Sequence, residues 1–232
     1  MNINEFIKPI EYHKELNPKI WEKDHRLKNE VRSKLLRIAE DFKNYIDVSF
    51  TVVDIVITGG NANYNYTDYS DIDLHLIADF DSVDCDREAA ELFDTKRLLY
   101  KNIYDISIYG IPVELYVENK DEPAVSGGSY SVLKNEWKTT PNEVLPEYDE
   151  LELQNMIAVW KKLISRAVRA RDLNAARTVL MLLRKYRKLG LKTPEAEFSI
   201  PNLVFKSLRN SQTTEKLMQL INDLHDNELS IG

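Results

Sequence analysis

Residues 50–79 read FTVVDIVITGGNANYNYTDYSDIDLHLIAD. The first nine, FTVVDIVIT, are rich in β-branched side chains and stop at Gly59-Gly60, so they predict a largely buried strand closed by a tight turn. DIDLHLIAD at 71–79 alternates strictly. As a strand it puts Ile72, Leu74, Leu76 and Ala78 on one face and Asp71, Asp73 and His75 on the other. A sheet with one oily face and one acidic face follows from these thirty residues.

The spacing within the stretch has a chemical reading. A glycine pair lets backbone come close to a ligand, and a helix beginning at Asn61 would aim its free N–H groups at phosphate oxygens. Asp71 and Asp73 project to the same side, where two carboxylates repel unless a divalent cation neutralises them. Mg²⁺ is the natural ion, with Mn²⁺ as a substitute. Further on, IPVELYV at 111–117 predicts a strand with Ile111, Val113, Leu115 and Val117 on one face and Glu114, Tyr116 and Glu118 on the other. If it pairs beside 71–79, Glu114 becomes a third carboxylate. Three oxygen ligands on one wall can hold two hard cations, the arrangement that stabilises both the attacking and the leaving oxygen in phosphoryl transfer. Such a site would make a hydroxyl attack an α-phosphate.

Residues 19–46 place Ile20, Leu27, Val31, Leu35, Ile38, Phe42 and Ile46 at helical spacing and predict one amphipathic helix. A helix is expected from about Asp84 to Asn102, then strands at 105–109 and 111–117 with Gly110 turning the hairpin. Residues 119–130 and the segment from Pro141 to Pro146 are turn-rich and bracket a short element around YSVLKNEW. Helices are predicted beyond it, near 148–170, 173–189, 199–209 and 213–227, with Asp172 as an N-cap and Gly190 as a stop. The expected organisation is α+β: a small mixed-sheet domain over 1–145, then an all-α domain over 146–232.

Composition narrows the class. Of 232 residues 43% are hydrophobic and 30% charged, with seven Gly and eight Pro, which fits a folded chain and excludes collagen-like or largely disordered ones. The single cysteine, Cys85, permits no internal disulfide and no cysteine-based zinc site. A reducing cytoplasm is the expected compartment, and neither an export signal nor a membrane span is legible. The net charge of −7 hides an asymmetry: Lys161 to Lys188 carry ten bases against one acid, a net +9, which leaves −16 on the rest. That polarity suggests a polyanionic partner.

The run ITGG, the ten-residue interval, DIDLHL and then VELYV resemble the signature of the DNA polymerase β superfamily of nucleotidyltransferases. The resemblance implies a palm-like catalytic domain in which Gly59, Gly60 and Asn61 bind the nucleoside triphosphate. It further implies that Asp71 and Asp73 bind two metal ions and that Glu114 completes the metal site and helps deprotonate the acceptor hydroxyl. Serine is common at the second turn position in that family; Gly60 stands there, so backbone N–H groups must serve in place of a hydroxyl. The wider wording, ANYNYTDYSDIDLHLI, VELYV, YSVLKNEW and NLVFKSLR, resembles a small full-length nucleotidyltransferase type of tailed bacteriophages, which would place the chain in host cytoplasm.

Other residues carry two readings each. His75 either touches phosphate or a carboxylate, or is an ordinary hydrogen-bonded, half-buried histidine. Tyr64, Tyr66 and Tyr69 either stack on a base or pack their loop. Tyr130 and Trp137, flanking Lys134, offer a second stacking place. The basic helices, with Arg166, Arg169 and Arg177 and a candidate extension at Lys206 and Arg209, are either a solvated face or a phosphate-contacting surface. The near absence of acids favours the latter, because solvated helices intersperse both signs. Leu163, Ile164, Val168, Val179, Leu180, Leu182 and Leu183 are expected to form their core stripe. Three functions fit: nucleotidyl transfer to an RNA 3′ end, protein adenylylation by an antitoxin-like enzyme, and a non-catalytic nucleotide- or RNA-binding module. A cationic small-molecule acceptor such as an aminoglycoside would sit badly against the +9 surface.

Overall fold

A computed structural model describes residues 11–83, 89–122, 127–141 and 147–231. Cys85, the first residues of the helix expected from Asp84, parts of both turn-rich segments and the extreme N-terminus lie outside the described residues. The chain divides into two compact units, Glu11–Val144 and Leu145–Gly232. No helix among the described residues is long and apolar enough to cross a membrane.

The first unit is α+β. It contains α1 (Asn29–Ile46), β1 (Thr51–Thr58), β2 (Ile72–Asp79), α2 (Ala89–Ile103), β3 (Ser107–Ile108), β4 (Ile111–Asn119), β5 (Ser129–Ser131) and β6 (Glu136–Thr139). The strands form one sheet in the order β3-β4-β2-β1-β5-β6. Only β2 and β4 run parallel; the other neighbours are antiparallel. The apolar face of β2, Ile72, Leu74, Leu76 and Ala78, packs in one cluster with Val31, Leu35, Phe42 and Ile46 of α1 and Phe93 and Tyr100 of α2. This leaves the opposite, acidic face uncovered by that core.

The helix predicted over 19–46 begins only at Asn29. Before it Trp21 bridges Leu27, Asn17 O accepts from the N–H of Ile20 and Trp21, and His25 turns at φ 63°. Ile20 and Leu27 are still buried, so the spacing marked core residues correctly while the backbone between them is a looped hairpin. Tertiary pairing of Trp21 outweighs helical propensity there. The strand expected over 105–109 shrinks to Ser107–Ile108, and the turn uses Tyr109 and Gly110, both at positive φ. YSVLKNEW forms β5 and β6 and joins the sheet through β1.

In the second unit α3 (Glu150–Ala170), α4 (Leu173–Gly190), α5 (Ile200–Asn210) and α6 (Thr213–Leu229) enclose one core of Leu153, Ile157, Ile164, Leu183, Leu203, Leu208 and Leu217 among others. Asp172 caps α4 as expected, accepting from Ala175 N at 2.9 Å. Gly190 ends α4 without leaving the helix. A Cβ there would lie 2.5 Å from Ser199 Oγ and 2.7 Å from Pro201, so close packing explains the glycine. Leu163 and Leu182, expected in the core stripe, are 39% and 46% exposed.

Candidate metal centre

Asp71, Asp73 and Glu114 come together. The parallel register sets Asp73 opposite Glu114 across β2 and β4, and one ligand oxygen from each acid lies within 4.8 Å of the others. All three are half-buried. Three carboxylates at that separation repel in the absence of a cation and form an oxygen-only donor set of the kind hard divalent ions prefer. The triad can therefore hold a divalent metal.

The glycine turn is fitted to this triad. Gly59 has φ 76° and ψ −161°, a conformation essentially confined to glycine. A Cβ at Gly59 would stand 1.9 Å from Asp73 Oδ2. The missing side chain is thus the space the Asp73 carboxylate occupies. A Cβ at Gly60 would meet Ser70 Oγ at 3.2 Å, so Ser70 lines the turn even though the turn itself lacks a hydroxyl.

The helix expected at Asn61 is a single 3-10 turn, Gly60–Ala62, whose first hydrogen bond runs from Ala62 N to Gly59 O at 3.1 Å. Only the leading N–H groups of Gly60 and Asn61 precede it. The Asn61 side chain is buried: Nδ2 donates to Asp71 O at 2.8 Å, and Oδ1 accepts from Asn17 Nδ2 at 2.8 Å. Its backbone carbonyl accepts from Trp21 Nε1 at 2.7 Å. The Asn61 side chain braces the start of β2 and leaves only its backbone for a ligand.

Around Glu114 the chain supplies its own donors. Lys101 Nζ pairs with Oε1, and Tyr116 Oη donates to Oε2 at 2.8 Å. Burial pushes the Glu114 carboxyl up, but the bonds from Lys101 and Tyr116 and the Arg97 charge outweigh it and hold the group below the usual glutamate range. Tyr116 is shifted upward by burial and then by the charges of Asp73 and Glu114, so it remains a protonated donor. Arg97, bonded to Asp94, lies 4.9 Å over the Tyr116 ring.

His75 continues the polar face and is 9% exposed. Its Nε2 is 2.9 Å from Thr58 Oγ1, its Nδ1 is 2.9 Å from Glu118 Oε1, and its ring stacks on Tyr116 at 4.7 Å. The ring is thus buried and hydrogen-bonded, with a carboxylate, Glu118, on one of its nitrogens. These contacts also tie β1, β2 and β4 together one step beyond the triad.

The aromatic expectations divide. Tyr130 is fully buried, with its hydroxyl on Asn135, so it offers no stacking surface; its ring is edge-on to Trp21 and Trp137. Trp137 stacks on Trp21 at 4.9 Å and donates Nε1 to His25 O, a structural clamp on the N-terminal loop. Lys134 is exposed at the tip between β5 and β6. Tyr64 is buried and Tyr66 stacks on His13 at 3.8 Å, whereas Tyr69 is 52% exposed.

In the helical unit Arg166 and Arg169 are exposed, and Arg177 bonds His225 at 2.9 Å. Lys206 and Arg209 are only half exposed on α5, a helix that is mostly buried, and so extend the basic surface weakly. Sequence reading missed Lys101, Arg97 and Thr58. The first two lie four apart on α2 and reach the edge of β4, a relation no local pattern announces. A cavity of about 520 Å³ lies elsewhere in the first unit, lined by Lys34, Arg37 and Asp41 of α1 and by Ile106, Ile108 and Tyr109 of the hairpin.

No family model matches the chain. No curated protein matches it. Among solved structures, a STING-associated CdnE c-di-GMP synthase from Capnocytophaga granulosa is similar at 15% identity over 87% of this chain and 84% of that one, with a TM-score of 0.21.

Proposed function

We propose that the protein is a Mg²⁺-dependent nucleotidyltransferase that moves a nucleoside monophosphate from a triphosphate to a hydroxyl, with an RNA 3′ end as acceptor. The observation that carries this reading is the convergence of Asp71, Asp73 and Glu114 beside a glycine turn shaped around Asp73. Asp71, Asp73 and Glu114 would hold the ions. Bound there, divalent ions neutralise the triphosphate and polarise the reacting oxygens. The chain's own part is positional. Gly59 and Gly60 bring backbone N–H groups against phosphate, Asn61 fixes the start of β2, and Tyr116 orients Glu114.

In this reading residues 1–145 are the catalytic domain and 146–232 a helical domain that meets the acceptor. Lys162, Arg166, Arg171, Lys185 and Lys188 are exposed on or at the ends of α3 and α4, and no carboxylate lies within ion-pair distance of them among the described residues. Cations without local partners suit a phosphate backbone.

The test is to incubate the chain with each α-labelled triphosphate and Mg²⁺ or Mn²⁺, separately with total RNA, cell protein and small-molecule extract. Label should enter the RNA fraction at 3′ ends and vanish in the Asp71→Ala/Asp73→Ala variant. Label on protein alone would replace the RNA acceptor by protein adenylylation. No label in any fraction would leave a binding module.

A further inference from the structure

We propose that Lys101 is a built-in counter-cation of the third carboxylate, occupying Glu114 until a divalent ion displaces it. Filling of the Glu114-linked metal position is then a competition with this lysine. The inference rests on the metal-binding reading above.

Both Glu114 oxygens are engaged by the chain itself, Oε1 by Lys101 Nζ and Oε2 by the Tyr116 hydroxyl. The two donors differ in kind. Tyr116 is two residues along the same strand, stacked on His75 and covered by Arg97, so it stays with the sheet. Lys101 belongs to α2, and its side chain is 57% exposed against 21% for Glu114. It reaches in from water on a flexible stem, and its removal from Glu114 disturbs no core packing.

An ammonium and a divalent ion sharing one carboxylate oxygen would stand a few ångströms apart, where like charges repel strongly. Binding of metal through Oε1 and retention of the Lys101 pair are therefore mutually unfavourable. Arg97, one helical turn earlier, cannot take over the role, because Asp94 holds its guanidinium at 2.9 and 2.6 Å over the Tyr116 ring. Once displaced, the Lys101 ammonium is left beside the triad, where a triphosphate supplies the nearest new negative charge. Lys101 is thus a positioning residue that makes the full metal complement form together with the nucleotide. Without nucleotide it keeps the acidic wall neutralised.

The test is Mn²⁺ binding to the full chain, followed by the electron paramagnetic resonance of free Mn²⁺, with and without a non-hydrolysable triphosphate. Lys101→Met should bind Mn²⁺ roughly two- to fivefold more tightly than the wild type without nucleotide, the size of one partly exposed ion pair. Lys101→Arg should behave as the wild type. The gain in Mn²⁺ affinity on adding nucleotide should be smaller in Lys101→Met. Should that variant fold poorly, Lys101→Gln carries the same expectation. An affinity within twofold of wild type, or a weaker one, would show that the lysine supports Glu114 and would overturn the proposal. An Asp73→Asn arm separates the two levels. If it abolishes Mn²⁺ binding while Lys101→Met changes nothing, only the role of Lys101 fails. If it leaves binding intact, the ion is not at the triad and the underlying reading fails too.

Discussion

Gly59→Ala perturbs the centre at its tightest point. The new Cβ would lie 1.9 Å from Asp73 Oδ2, and contacts under 3.0 Å are essentially never tolerated, so the carboxylate must retreat by about 1.1 Å. The alanine must also hold φ 76° with ψ −161°, a strain of about 1–3 kcal/mol. In a domain of this size 1 kcal/mol shifts the melting temperature by about 3–5 °C, so a fall of roughly 3–15 °C is expected. A 1 Å misplacement of a reacting or metal-holding group costs about a hundredfold in rate. Nucleotidyl transfer should accordingly drop at least a hundredfold at temperatures where the variant is still folded. The assay is label transfer from an α-labelled triphosphate at 20 °C, with a circular-dichroism melt of the same sample. Activity within twofold of wild type in a folded variant would refute the argument that the glycine exists to seat Asp73.

Other expectations concern separate parts of the molecule. Asp54, 5% exposed, accepts from Ser131 Oγ at 2.6 Å and lies 3.6 Å from Lys138, tying β1 to β5 and β6; Asp54→Ala should cost about 1–3 kcal/mol in denaturant melts, and an unchanged midpoint would show that this link is idle. Glu118 ionises at lower pH than a free glutamate because His75 bonds it, burial opposing. Its folded pKa is depressed, so its contribution is complete above the free value of 4.5 and is lost as pH falls through the lowered one. Glu118→Gln should therefore be less stable than wild type at neutral pH, with the gap closing below about pH 4.5; a constant gap in pH-dependent melts would contradict the pairing. Charge reversal at Lys162, Arg166 and Arg169 should weaken RNA binding and flatten its salt dependence by about 0.7 per lost phosphate contact, measured by titration across salt concentrations. An unchanged slope would remove α3 from the acceptor surface.

The acidic triad was legible because a strand has a period of two. Asp71 and Asp73, and Glu114 with Tyr116 and Glu118, declare their shared faces from alternation alone, and only the pairing of β2 with β4 needed structure. Where the reading failed, distant contacts decided. Trp21 and Leu27 sit at spacings a helix would use, yet Trp21 is claimed by Trp137, Tyr130 and the carbonyl of Asn61. Three-residue β5 is too short to show a period, and its Tyr130 became core through pairing with Ile57. Leu163 and Leu182 occur in apolar-looking stretches but fall on outer helix faces, since one position is worth 100° of rotation. Lys101 could not be foreseen, because its partner is thirteen residues away across a turn and a strand edge.

Where a metal and a triphosphate lie in the folded chain tests the proposed two-metal chemistry most directly. Crystals grown with Mn²⁺ and a non-hydrolysable nucleoside triphosphate should show anomalous peaks bound by Asp71 and Asp73, with Glu114 on one of them and the triphosphate against Gly59 and Gly60. Ordered nucleotide elsewhere, with no peak at the three carboxylates, would contradict it.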